Sequence, residues 1–199
     1  MFGPRGTGKS TWTQAIFKEA LRIDLLSPEV FRRFAARPER LREMVEGEPR
    51  KKIVIVDEVQ KVPTLLPLIH ALIEEKRGTT FILTGSSSRK LKRTGADLLA
   101  GRAVVRTMHP FMAAELSSRF DFERSLKFGL LPLAWQAKDP DDILRAYAAL
   151  YVREEVQAEG LVRNVGNFSR FLEEISFSQA GVLNLSNVAR ECEVERKVV

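Results

Sequence analysis

Residues 3–10 read GPRGTGKS, and this stretch decides how the rest of the chain is read. It fits G-x-x-x-x-G-K-[ST] at every fixed position, from Gly3 to Ser10. Each position has a physical job. The glycines let the backbone wrap so that successive N–H groups point at phosphate oxygens. The helix that follows aims its positive end at the same oxygens. Lys9 adds a mobile point charge, and Ser10 offers a hydroxyl to a divalent cation. Trp12, Ile16, Phe17, Ala20 and Leu21 recur at helical spacing, which predicts a helix over Lys9–Leu21. Such a loop ordinarily follows a buried strand, yet only Met1 and Phe2 precede it.

Working outward, the next decisive stretch is KIVIVDE, residues 52–58. A continuous β-branched run predicts a parallel strand buried on both faces. It delivers Asp57 and Glu58 at its C-terminal end, where ligands of open α/β sheets bind. Asp57 suits Mg²⁺, and Glu58 suits a general base that polarises an attacking water. TTFILTG, residues 79–85, is a second buried strand and ends in hydroxyls. Ser86 is the first candidate for a residue that senses a terminal phosphate, and Thr84 the second. AVVRT, residues 103–107, is read as a third strand, with Arg102 directly before it. Short strands are expected at Ile23–Leu26, and helices at Pro28–Ala36, Pro38–Glu46 and Leu65–Lys76. Strands alternating with helices give an α/β fold with a mostly parallel sheet.

The chain has 199 residues, 44% apolar, which is room for one domain or one with a smaller companion. No apolar run approaches the roughly 18 residues of a membrane span, and no signal peptide pattern opens the chain. A single cysteine, Cys192, excludes a disulfide framework and a cysteine-rich metal site, and makes a cytoplasmic setting the expectation. The net charge of +6 permits nucleic-acid contact without requiring it, because the basic residues are scattered. His70 and His109 lack a partner constellation and are assigned no metal.

After Pro110 the periodicity is helical. The last stretch, LNLSNVARECEVERKVV, has the outline of a helix-turn-helix: Ser186 is expected to cap one helix, and a second is expected from about Glu195. Cys192 is read as a small core residue.

GPRGTGKST, IVIVDEVQKVP, ILTGSSSRKL, LAGRA and HPFMAAEL together resemble a family of bacterial and archaeal AAA+-like ATPases. The match also takes in YVREEV, FSRFLEEIS and LSNVARECEV. The resemblance implies a P-loop NTPase sheet at residues 1–110, a helical continuation at 111–165 and an incomplete winged helix-turn-helix at 166–199. It implies ATP binding, with Gly3, Pro4, Arg5, Gly6, Thr7, Gly8, Lys9, Ser10, Thr11 and Asp57 as the nucleotide-binding set. Ser10 and Asp57 would hold Mg²⁺. Glu58, Ser86 and Arg102 would act in hydrolysis, Arg102 by entering a neighbouring subunit of a homo-oligomer.

The family has a strand ahead of the loop and, beyond the winged helix, a nuclease-like domain that this sequence does not contain. The strand ahead of the loop is central, and this chain largely lacks it. Five buried apolar residues at about 2 kcal/mol each amount to on the order of 10 kcal/mol, comparable to a domain's whole stability. A truncated chain, poorly stable and weak in hydrolysis, is therefore expected. The function expected is an ATPase that drives a conformational switch; the alternative is a nucleotide-dependent DNA-binding regulator. A small-molecule kinase is disfavoured, because the Asp57-Glu58 pair serves water activation. No membrane partner is expected.

Overall fold

The computed structural model describes residues 1–76, 78–86, 101–150, 165–178 and 181–192. The chain divides into two compact units, Met1–Gln136 and Ala137–Val199.

The first unit is built on three parallel strands in the order β1-β2-β3: β1 Leu21–Asp24, β2 Ile53–Asp57 and β3 Thr80–Leu83. Leu21 pairs with Val54 and Asp24 with Asp57, while Ile53 pairs with Thr80 and Val56 with Leu83. The register brings the C-terminal ends of all three strands to one edge. β2 is central among them, and Val54, Ile55 and Val56 are all buried. Alternate side chains of a strand face opposite ways, so this run requires cover on both faces.

The helices of this unit include α1 Lys9–Ile16, α2 Pro28–Ala36, α3 Arg40–Gly47, α4 Leu65–Glu74 and, after residue 112, α5 Ala113–Leu116. Proline opens α2 at its first helical position, where its missing N–H has no intrahelical partner to lose. In α4 the buried residues Leu65, Leu66, Ile69 and Leu72 form one stripe. That stripe joins Phe34 of α2, Leu41 and Val45 of α3, and Val54 and Val56 of β2 in a single core. Two further helices, α6 Phe122–Phe128 and α7 Pro132–Trp135, belong to the same unit. The Arg124 guanidinium lies over both the Phe128 and Trp135 rings and donates to the Trp135 carbonyl at 3.1 Å, holding α6 to α7.

The predicted helix over Lys9–Leu21 ends at Ile16, and the strand expected from Ile23 begins at Leu21. Where the helix ends, the Arg22 guanidinium donates to the Thr13 and Phe17 carbonyls at 2.6 and 2.9 Å, two of the C-terminal carbonyls that a helix leaves to outside partners.

The expected strand over 103–107 is not a strand. Only Thr107 joins the sheet, through one parallel bridge to Phe2, and Val104 and Val105 are 74% and 64% exposed. The physical reason lies on its flank. Phe2 bridges Gly85 on one side and Thr107 on the other, so it occupies the position between β3 and this segment. Met1, Phe2 and Gly3 line that gap, through bonds from the Met1 nitrogen to the Leu83 oxygen, from the Phe2 nitrogen to the Arg106 oxygen and from the Gly3 nitrogen to the Gly85 oxygen. A cleft of about 1010 Å³ opens between β3 and residues 102–107. Valines without a ladder neighbour stay exposed there.

The second unit contains α8 Pro140–Leu150, α9 Val165–Ser176 and α10 Leu185–Glu191. The cap of α10 is Asn184 rather than Ser186: the Asn184 side chain accepts from the backbone nitrogens of Ser186 and Asn187 at 3.1 and 3.2 Å. An asparagine one residue before the helix reaches the free N–H groups that a residue inside the first turn cannot. Val188, Ala189 and Cys192 are buried, and burial pushes the Cys192 thiol up from its ordinary range. YVREEV and the second helix expected from about Glu195 lie outside the described residues.

Because Ile69 is fully buried in the core, Ile69→Ala should cost about 2–4 kcal/mol in chemical denaturation. Ile16→Ala, at a position 58% exposed, should stay within about 0.5 kcal/mol of the parent. Equal losses at the two positions would show that α4 does not pack as described.

Candidate functional site

The site is assembled at the C-terminal edge of the sheet by the loop before α1 and the ends of β2 and β3. Gly6 and Gly8 take φ of 77° and 89°, the left-handed region that a side chain disfavours. Gly3 is fixed by crowding instead, since a methyl there would collide with the Met108 carbonyl oxygen. No side chain caps α1, whose N-cap residue is Gly8. The first N–H groups of that helix therefore remain available to an anion.

Lys9 is buried at 5% exposure, and its ammonium donates to the Gly3 and Pro4 carbonyls at 2.7 and 2.9 Å. The Thr7 hydroxyl donates to the Pro4 carbonyl at 2.9 Å. These bonds fold the loop around the lysine. On its outer side the loop touches α7: Leu133 donates its N–H to the Gly6 oxygen at 3.3 Å, and the Leu131 and Leu133 side chains lie within 3.1–3.4 Å of where a Gly6 methyl would stand. No sequence signal tied residues 131–133 to the loop. Their place arises from packing across more than a hundred residues of chain.

A side-chain hydrogen bond connects the first turn of α1 to the end of β2. The Ser10 hydroxyl donates to Asp57 Oδ2 at 2.5 Å. The other carboxylate oxygen of Asp57 accepts from the Thr84 hydroxyl, which in turn accepts the Glu58 N–H at 3.3 Å. Thr84 is fully buried. Glu58 is the one residue of this group with strained backbone, at φ 57°, and it is 6% exposed. Its carboxylate accepts from the side-chain amide of Gln60, which also donates to Ser86 Oγ at 3.2 Å. Gln60 stands in the short 3₁₀ turn Val59–Lys61, held to β3 by a bond from the Val59 nitrogen to the Thr84 oxygen at 3.0 Å.

The geometry thus joins Ser10, Asp57, Glu58, Thr84 and Ser86 in one hydrogen-bonded group beside Lys9. Both hydroxyls considered for phosphate sensing are in it, Thr84 on Asp57 and Ser86 on Gln60. Sequence spacing gives Gln60 no role, although it stands three residues after Asp57 in DEVQ. Pro4 and Thr11 are exposed at the mouth of the loop, and Arg5 is half-buried. Arg102 stands elsewhere, at the end of α4, where it pairs with Glu74 and holds that carboxyl below its usual range.

The donor set available to a metal is one hydroxyl and one carboxylate, both oxygen, with no cluster of three acidic, histidine or cysteine residues among the described residues. That suits Mg²⁺, which keeps several waters and takes one or two protein oxygens together with phosphate oxygens.

Comparison with known proteins agrees with this geometry. The model of the AAA domain family matches residues 1–117, and that of a domain of unknown function matches residues 119–199. No curated protein matches the chain. The first match covers more than half of the 199 residues and contains the loop and all three strand ends. Its first part is thus a nucleotide-binding, ATPase-like unit on a mixed α/β frame, and the chain belongs to the AAA domain family.

Proposed function

We propose that residues 1–136 form a P-loop ATPase that binds ATP with Mg²⁺ and hydrolyses it to drive a conformational switch. The observation that carries this reading is the Ser10–Asp57 bond at 2.5 Å, which sets a metal-binding hydroxyl and carboxylate against each other at the mouth of the loop.

In this reading the loop N–H groups and the N-terminus of α1 bind the β- and γ-phosphates. Lys9 exchanges its bonds to the Gly3 and Pro4 carbonyls for charge-assisted bonds to phosphate oxygens. Ser10 and Asp57 would hold the cation, which would supply positive charge to offset that of the bound phosphates. Glu58 accepts the proton of the water whose oxygen attacks the γ-phosphorus. The bond to the β–γ bridging oxygen breaks, and its electron pair leaves with ADP. Burial of Glu58 and Thr84 keeps competing water away from the base.

Arg102 remains the candidate for a charge delivered to a neighbouring copy. To serve there it must exchange Glu74 for phosphate. The DNA-binding alternative draws no observation from α10, whose one basic residue, Arg190, pairs with Glu191 at 3.2 Å.

Two variants test the ATPase reading. Lys9→Ala should weaken ATP binding by roughly 10- to 100-fold in equilibrium titration, the value of a lost charged hydrogen bond to phosphate. Glu58→Gln should bind ATP within about twofold of the parent yet hydrolyse it roughly 10²–10⁴-fold more slowly. A Glu58→Gln protein that turns over at the parent rate removes Glu58 from the base role. A Lys9→Ala protein with parent affinity removes the loop.

A further inference from the structure

Gln60 is the least expected member of the group. It is 7% exposed, in a turn that leaves the strand directly after the base. A carboxylate only accepts hydrogen bonds, so the atom facing Glu58 must be the amide nitrogen and the orientation of the amide is settled by chemistry. The two protons of Nε2 are then committed, one to Glu58 and one to Ser86. The carbonyl oxygen, Oε1, is left buried with no hydrogen-bond partner among the described residues. It lies against Gly85, at the place a methyl on that residue would take, so only glycine lets Gln60 seat. A buried acceptor without a donor is unusual in a folded protein and points to a second state in which it is used.

We propose that Gln60 is a positioning residue for hydrolysis: its amide holds the Glu58 carboxylate toward the attacking water and ties that carboxylate to Ser86 at the tip of the third strand. The proposal rests on Glu58 being the base. It also gives the idle oxygen a role. When Glu58 has taken the proton from water, its new O–H needs an acceptor. A half-turn of the amide about its Cγ–Cδ bond brings Oε1 to that O–H and moves Nε2 to where Oε1 had been. One side chain thus partners the base in both protonation states, and the change is felt at Ser86, which loses its donor. Ser86 accepts from Gln60 now, and its own proton is free to be given to a phosphate oxygen.

The test uses the full chain. Gln60→Ala, and Gln60→Met as the variant that keeps the volume, should lower kcat for ATP by roughly 10- to 100-fold, the scale of a misdirected reacting group. KM and the equilibrium affinity for ATP should stay within about twofold, and Gln60→Asn should recover little because its amide is one methylene short. In the Glu58→Gln background, Gln60→Met should add no further loss, since Gln60 acts only through Glu58. A second readout needs no nucleotide. In ¹⁵N-labelled protein the two side-chain amide protons of Gln60 should give separate resonances, one moved by Glu58→Gln and the other by Ser86→Ala.

The proposal is overturned if Gln60→Met retains both the parent melting temperature and the parent kcat. It is also overturned if the loss appears in KM alone, if the Glu58→Gln and Gln60→Met losses multiply, or if neither substitution moves the Gln60 resonances. Failure of the underlying reading looks different: Glu58→Gln then hydrolyses at the parent rate while the amide resonances still respond.

Discussion

The hydrogen bond from Ser10 to Asp57 is the constraint on which the rest of the site depends. Ser10 stands in the first turn of α1, and Asp57 ends β2. A short polar side chain from each must meet, so the loop has to arrive at the strand edge with its glycine turns already made. The positive φ of Gly6 and Gly8 supplies the turns. The Lys9 bonds to Gly3 and Pro4 fold the chain between them. On the strand side, Asp57 holds its angle because its second oxygen is taken by Thr84 on the next strand. A carboxylate with both oxygens committed is pre-organised, and that is the property a metal-binding carboxylate needs.

That angle is in turn set by burial. β2 is apolar and buried on both faces, and such a strand cannot slip register without putting its polar end into the core. The pairing of Val56 with Leu83 then places Thr84 beside Asp57 without further instruction. Glu58 comes next in the chain, and its left-handed backbone is the cost of turning sharply enough to bring a second carboxyl to the same edge. Gln60 and the bond from Val59 to the Thr84 oxygen keep the turn closed.

Much of this was legible in the sequence, because the signals are local. GPRGTGKS specifies glycine positions, a charge and a hydroxyl at fixed offsets. KIVIVDE specifies a buried strand with carboxylates at its exit. Two errors came from treating a local signal as sufficient. AVVRT has the composition of a strand, but a strand is made by its neighbours, and among the described residues only Phe2 bridges it, at Thr107. Ser186 is a good capping residue standing inside a helix that Asn184 already caps. Arg22 and Gln60 were not legible. One bonds the carbonyls at the end of α1 and the other bonds the Glu58 carboxylate, and each does so through long-range or turn geometry that spacing does not encode.

The contact between the loop and α7 changes where the nucleotide-binding part of the chain ends. The AAA family match stops at residue 117 and the next begins at residue 119, which taken alone would place a boundary between them. The compact unit nevertheless runs to Gln136. Leu131 and Leu133 wall the loop at Gly6, and Leu133 donates a hydrogen bond to its backbone. Arg124, stacked on Phe128 and Trp135, holds that wall in place. Any movement of the Gly6 backbone must displace α7 or carry it along, because close-packed side chains transmit displacement rather than absorb it. Residues 119–136 thus belong to the same compact unit as the loop, and Leu131 and Leu133 tie them to it at Gly6.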